Sequence, residues 1–124
     1  MAPLLDASAL IAVAKQEAGW EAVPDPQQAL TTAVNAAEVV SHLVQKGRDP
    51  AAVITFVQLL CPIAAVEPAV ALEAGVLFAA HRKLKLSLAD CVCLAFARRY
   101  GHAVVTSDKA WSEVDIGVSV TQFR

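Results

Sequence analysis

The chain has 124 residues, room for one domain with a real core and too few for two. It is 56% hydrophobic with a mean hydropathy of +0.51, yet no run approaches the roughly 18 uninterrupted apolar residues of a membrane span. The surplus implies buried helices and an apolar surface for a partner to cover, and a formal net charge of −2 excludes a broadly basic nucleic-acid binder but not a local basic patch.

In chain order, Pro3-Leu4-Leu5 is a short apolar run stopped by Asp6, which predicts a buried strand ending in an acid. Asp6-Ala7-Ser8 opens a helix through Ala9, Leu10, Ile11, Val13 and Ala14, with Gly19 near its end. Trp20 to Val23 add a turn before Pro24-Asp25-Pro26 breaks the chain. Residues 29–34 predict a second strand. Asn35 follows as N-cap with Glu38 three residues on, the spacing of a capping box, and the helix runs through Val39, Val40, Leu43 and Val44 to Gly47.

Asp49-Pro50 is a cap followed by a proline at the first helical position, predicting a helix to about Leu60. Residues 62–66 predict a third strand. Glu67-Pro68 restarts helix through Ala71, Leu72, Val76, Leu77 and Ala80, and its end is basic: His81, Arg82, Lys83 and Lys85. Ser87 caps the next helix with Asp90 three residues on; from Cys91 to Ala97 no side chain is charged, so this helix is apolar all round and buried. Arg98, Arg99, Tyr100 and Gly101 close it. Residues 103–106 predict a fourth strand with Ser107-Asp108 at its exit, then a short turn carrying Trp111 and a last strand around residues 118–123. Strands alternating with helices predict one α/β domain over residues 1–124, a mostly parallel sheet of about five strands flanked by helices. The three cysteines form neither a disulfide framework nor a metal knuckle and read as core residues. Residues 1–5 lack the features of a signal peptide, which predicts a cytoplasmic protein.

A parallel sheet brings distant acids together. Asp6 and Asp108 lie at strand exits, and Glu38 is predicted in the first turn after another strand. The Asp90 helix delivers the fourth strand and runs antiparallel to it, so its N-terminus also lies at the exit edge, where such sheets bind ligands. Singly, Glu38 and Asp90 read as helix caps, Asp6 as a cap and Asp108 as a turn residue; sharing one rim, they read as a site. Carboxylates so placed repel one another, and the crowding makes sense if cations fill it. An all-oxygen set with no well-placed histidine or thiol suits Mg²⁺ or Mn²⁺, which can activate water for phosphodiester cleavage.

With these positions assembled, the sequence resembles a PIN domain, specifically a VapC-type toxin ribonuclease. The matching pieces are Leu5-Asp6-Ala7-Ser8, Ala33-Val34-Asn35-Ala36-Ala37-Glu38-Val39, Leu86-Ser87-Leu88-Ala89-Asp90 and Val105-Thr106-Ser107-Asp108-Lys109-Ala110-Trp111, with the C-terminal strand. The resemblance implies a metal-dependent endoribonuclease with Asp6, Glu38, Asp90 and Asp108 around Mg²⁺ (or Mn²⁺). It also implies a homodimer neutralised by a small cognate antitoxin. Phenylalanine is common in the family where Trp111 stands, a change that preserves packing.

Other residues admit two readings. Ser8 and Thr106 either hydrogen-bond an acid or metal-bound water, or cap local backbone. Asn35 reads as a cap rather than a ligand, and His42, on the Glu38 face but a turn below the rim, as a surface or interface residue. Arg82, Lys83 and Lys85 either follow an RNA backbone or complement a helix C-terminus. Two alternative functions are a phospho-receiver, which lacks here its acidic pair and its lysine, and a catalytically idle PIN fold that binds partners. A haloacid-dehalogenase-like phosphatase wants a second Asp where Ser8 stands.

Overall fold

Two leucines make the first strand, Leu4–Leu5 (β1), both wholly buried in the computed structural model, which describes residues 1–124. Helix α1 (Ala7–Lys15) follows at once, then β2 (Thr31–Thr32), α2 (Ala33–Gln45) and α3 (Pro50–Leu60). The second half holds β3 (Ile63–Ala64), α4 (Pro68–Ala80), α5 (Leu88–Tyr100), β4 (Val104–Thr106) and β5 (Val120–Gln122). Single 3₁₀ turns lie at Trp20–Ala22, Pro26–Gln28, Arg82–Leu84 and Lys109–Glu113.

Every strand pairing is parallel. One sheet has the order β1-β4-β5, and β2 pairs with β3 in a second. Leu30, the residue before β2, bridges Leu4; Leu5 N–H donates to the Leu30 carbonyl at 2.8 Å and Leu30 N–H to the Pro3 carbonyl at 3.0 Å. The five strands therefore lie side by side as β3-β2-β1-β4-β5, with their carboxyl ends on one edge. The strands are shorter than the predicted runs: ladder pairing covers residues 63–64 of 62–66 and 120–122 of 118–123.

Alternation along the two central strands divides the core. Leu4 and Val104 face α4 and α5, packing with Val70, Ala74, Leu94 and Trp111. Leu5 and Val105 face the other way, into Leu10, Val39, Leu43, Val53 and Val57 of α1, α2 and α3. As its lack of charge predicts, α5 is buried from Cys91 to Ala97 without a break. Its start is the predicted capping box: Asp90 N–H donates to Ser87 Oγ at 3.0 Å, and Ser87 N–H to Asp90 Oδ2 at 2.9 Å.

Two predicted boundaries move. Helix α1 ends at Lys15, with Gln16 in the left-handed region (φ 51°), short of Gly19. Gly19 serves a close approach instead: a Cβ there would lie 2.8 Å from Cβ of Arg124, the end of the strand-β5 segment. The larger correction is at α2. The apolar residues Ala33 and Val34 extend the predicted strand, but Thr32 is itself a capping residue, and its Oγ accepts from Asn35 N–H at 3.1 Å. Helix therefore begins at Ala33. Asn35 is not the N-cap, and Glu38 lies in the second turn rather than in a capping box.

Candidate active site

Asp6 leaves β1 and caps α1 at once. Its Oδ1 accepts from Ala9 N–H at 2.9 Å and from Ser8 Oγ at 2.6 Å, and its Oδ2 accepts from Thr106 Oγ at 2.5 Å. The neighbouring exit is stitched to it: Ser107 N–H donates to Ser8 Oγ, and Asp108 N–H to Thr106 Oγ, each at 3.0 Å. Both hydroxyls thus serve an acid and a backbone N–H, combining the two readings. Asp108 caps the following 3₁₀ turn, with Oδ1 accepting from Ala110 N–H at 3.0 Å.

The second pair is oriented by equally short links. Asn35 is buried; it bridges Thr32 Oγ at 2.8 Å and, through Nδ2, Glu38 Oε1 at 2.9 Å. A misplaced cap in the sequence thus becomes a support for Glu38. Asp90 stands in the first turn of α5, one oxygen fixed by Ser87.

These four acids come from β1–α1, α2, α5 and β4, and they act on one another. Burial pushes Asp6 above the ordinary carboxylate range, against the hydrogen bonds from Ser8, Thr106 and Ala9, and the charge of Asp90 adds to the rise. Glu38 is raised by burial and by Asp90 and Asp6; Asp90 by burial and by Asp108. The chain's ion pairs, Lys15–Glu17 at 3.4 Å and Arg124–Glu17 at 3.6 Å, involve none of them. Cys93 lies beneath the group, where burial and the charges of Asp6, Asp90 and Glu38 hold its thiol well above its usual range. As the side chains stand, no three His, Cys, Asp or Glu groups gather closely enough to hold an ion. The acids share a field without forming a ligand sphere.

The donors are nevertheless of the right kind. Four carboxyl groups with no cation among them, beside thiols kept protonated, fit a hard divalent ion and not zinc. His42 is absent from the group; it lies 3.3 Å from Lys15 Nζ, half-buried between α1 and α2. Arg82 and Lys83 lie in an exposed turn, followed by Lys85, just before the Ser87 cap. The largest surface hollow, about 530 Å³, is elsewhere, lined by Val13, Lys15, Arg48, Phe56 and Leu60 among others.

Trp111 carries a signal that sequence reasoning missed. It is wholly buried in the α4–α5 core, as a packing residue should be, yet its Nε1–H is sealed without a hydrogen-bond partner. A buried donor left unpaired costs about 1–3 kcal/mol, so the residue is more than filler.

The raised acids predict a pH dependence. A carboxyl whose folded pKa exceeds its unfolded one binds its proton more tightly when folded, so the stability it contributes is present at low pH. That stability is lost as pH climbs from the ordinary carboxylate range through the raised value. In EDTA, the thermal midpoint of the wild-type chain therefore falls more steeply with rising pH than that of Glu38→Gln. Equal slopes in melts taken from pH 4.5 to 8 would show that Glu38 is not raised.

A model of the family described as PIN domain matches residues 4–117. No curated protein matches the sequence. Among solved structures, the chain is similar to Mycobacterium tuberculosis VapC20, described as a sarcin–ricin loop cleaving toxin. The TM-score is 0.76 at 17% identity, over 93% of this chain and 96% of that one. A chain of a Klebsiella pneumoniae toxin–antitoxin complex gives 0.69 at 21% identity, over 99% and 98% of the two chains. One from DNA-bound VapBC of Salmonella typhimurium gives 0.73 at 13% identity over all of both. At such identities the likeness is one of fold.

Proposed function

The chain belongs to the PIN domain family, and from that premise we propose that it is a Mg²⁺- or Mn²⁺-dependent endoribonuclease, the toxin of a toxin–antitoxin pair. The observation that carries the reading is the convergence of Asp6, Glu38, Asp90 and Asp108 into one field with no cationic partner. The family assignment leaves the phospho-receiver alternative without a footing.

In this reading Asp6 and Asp90 are the principal ligands, and Glu38 and Asp108 complete the coordination or orient the attacking water. When bound, the ion supplies a water activated near neutral pH and a counter-charge for the leaving oxygen. The chain supplies orientation. Ser8 and Thr106 hold both oxygens of Asp6, Asn35 holds one of Glu38, and Ser87 holds one of Asp90. Arg82, Lys83 and Lys85 stand close along the chain to the Asp90 cap, where they can follow an RNA backbone. The neighbour described as cleaving the sarcin–ricin loop supports RNA as the substrate class.

A protein partner suits the surface. Leu59 on α3 and Leu72 and Val76 on α4 are 73%, 75% and 69% exposed, apolar side chains on either side of the sheet that a protein partner could cover. A small antitoxin and a second copy of the chain are the proposed occupants, in keeping with neighbours drawn from toxin–antitoxin complexes. No helix is long and apolar enough to cross a membrane. Three free, buried thiols suit the reducing cytoplasm, where the RNA would be met.

The test is direct. Purified protein is expected to cut structured RNA with Mg²⁺ or Mn²⁺, and EDTA or Asp90→Asn to stop it; sequencing the RNA ends identifies the target. Cleavage that survives both changes excludes the metal mechanism, and RNA binding without cleavage at any metal concentration leaves the idle, partner-binding PIN fold.

A further inference from the structure

The orphaned indole of Trp111 lies against the acidic group. Buried donors in folded proteins are paired almost without exception, and the side-chain acceptor within reach of this Nε1–H is the Asp90 carboxylate. Ser87 N–H fixes Oδ2 of that carboxylate at 2.9 Å and leaves Oδ1 for another donor. Trp111 itself is firmly held: wholly buried, it sits in the Lys109–Glu113 turn that Asp108 caps. One turn therefore carries both an acid of the group and a donor directed at another acid. A phenylalanine would fill the same core space, but only the indole brings an N–H.

We propose that Trp111 is a positioning residue whose Nε1–H closes on the free edge of the Asp90 carboxylate and sets its orientation toward Asp6, Glu38 and Asp108. The consequence for metal binding rests on the function proposed above; the hydrogen bond does not. With Ser87 on one oxygen and Trp111 on the other, Asp90 is clasped between the helix cap and the 3₁₀ turn. Its remaining lone pairs then point at the rim rather than into the core. Outer partners that orient metal-binding side chains in this way are worth roughly tenfold to a hundredfold in metal affinity.

Two measurements separate the hydrogen bond from its consequence. In metal-free ¹⁵N-labelled protein, the indole resonances of Trp20 and Trp111 are assigned with Trp20→Phe and Trp111→Phe. On Asp90→Asn the Trp111 indole proton is expected to move upfield, as an anionic acceptor becomes a neutral one, while that of Trp20 stays in place. A Trp111 resonance indifferent to Asp90→Asn overturns the proposal, whatever the metal does.

Calorimetric titration with Mn²⁺ then compares the wild type with Trp111→Phe, which is expected to bind about tenfold more weakly. Should the phenylalanine variant fail to fold, benzothienylalanine at position 111 in a Trp20→Phe background keeps the indole's shape and removes only the N–H. Mn²⁺ affinity equal to the wild type's in a folded variant lacking the N–H overturns the positioning role. A wild type that binds no Mn²⁺ overturns the metal reading of the site instead, and the resonance alone then decides the Trp111–Asp90 contact.

Discussion

Asp6→Asn is expected to lower RNA cleavage by roughly a hundredfold or more, beyond what loss of an outer-shell partner costs, while the metal-free chain keeps or gains stability. The two halves have one cause. Asp6 is 4% exposed, raised by its burial, and faces Asp90 with no cation to offset the charge. Asparagine keeps the side-chain oxygen that accepts from Ala9 N–H and Ser8, so the cap of α1 survives, and its amide can donate to Thr106 Oγ once that hydroxyl turns. What is lost is the charge, which the proposed ion needs and the empty fold does not. Asp6→Ala separates the effects: it is equally inactive but also loses the cap, at about 1 kcal/mol, and leaves Ser8 and Thr106 without their acceptor. Activity is read with Mg²⁺ on structured RNA and stability by melting in EDTA. Asp6→Asn protein that cleaves within threefold of wild type would remove Asp6 from the metal site. A fall in melting temperature as large as that of Asp6→Ala would remove charge crowding as the feature that shapes the rim.

Capping grammar made part of this rim readable in advance. Ser87 and Asp90 announce the start of α5 through residues three apart, and the structure forms the reciprocal box. Asp49-Pro50 starts α3 and Asp6 starts α1 for the same local reason. Where two capping residues lie close together the grammar is ambiguous. Thr32 and Asn35 can both begin α2, and Ala33-Val34 suits strand or helix; parallel pairing of Thr31 and Thr32 with Ile63 and Ala64 decides for Thr32. The support around Asp6 was open in the sequence for another reason. Thr106 and Asp6 are a hundred residues apart and meet only because β1 and β4 are neighbours in the sheet. The Trp111 donor was hidden more deeply still, since a buried tryptophan reads as packing until its N–H is found without a partner.

Leu94→Ala is expected to destabilise the protein by about 2–5 kcal/mol, lowering the thermal midpoint by roughly 8–20 °C for a chain of this size. Leu94 lies at the centre of the seven-residue stretch of α5 buried on all sides, and is itself 1% exposed. A helix gripped from every direction cannot shift to fill the space left by three lost carbon atoms, so the cavity persists and its cost adds to the lost transfer energy. Against a total stability of about 5–15 kcal/mol for an ordinary domain, this is a large fraction. Arg98→Ala, on the exposed last turn of the same helix, is expected to stay within about 0.5 kcal/mol. A Leu94→Ala loss below about 1 kcal/mol would mean that α5 is loosely held. Rigidity here bears on function because α5 carries Asp90 at its tip. If burial fixes the helix as described, the folded fraction of Leu94→Ala at low temperature retains Mn²⁺ affinity close to wild type, since the cavity opens about two turns beyond the Ser87 cap and leaves the capping box intact. A variant that is folded but binds the ion much more weakly would show instead that packing along α5, and not the hydrogen bonds at its end, holds Asp90 in place.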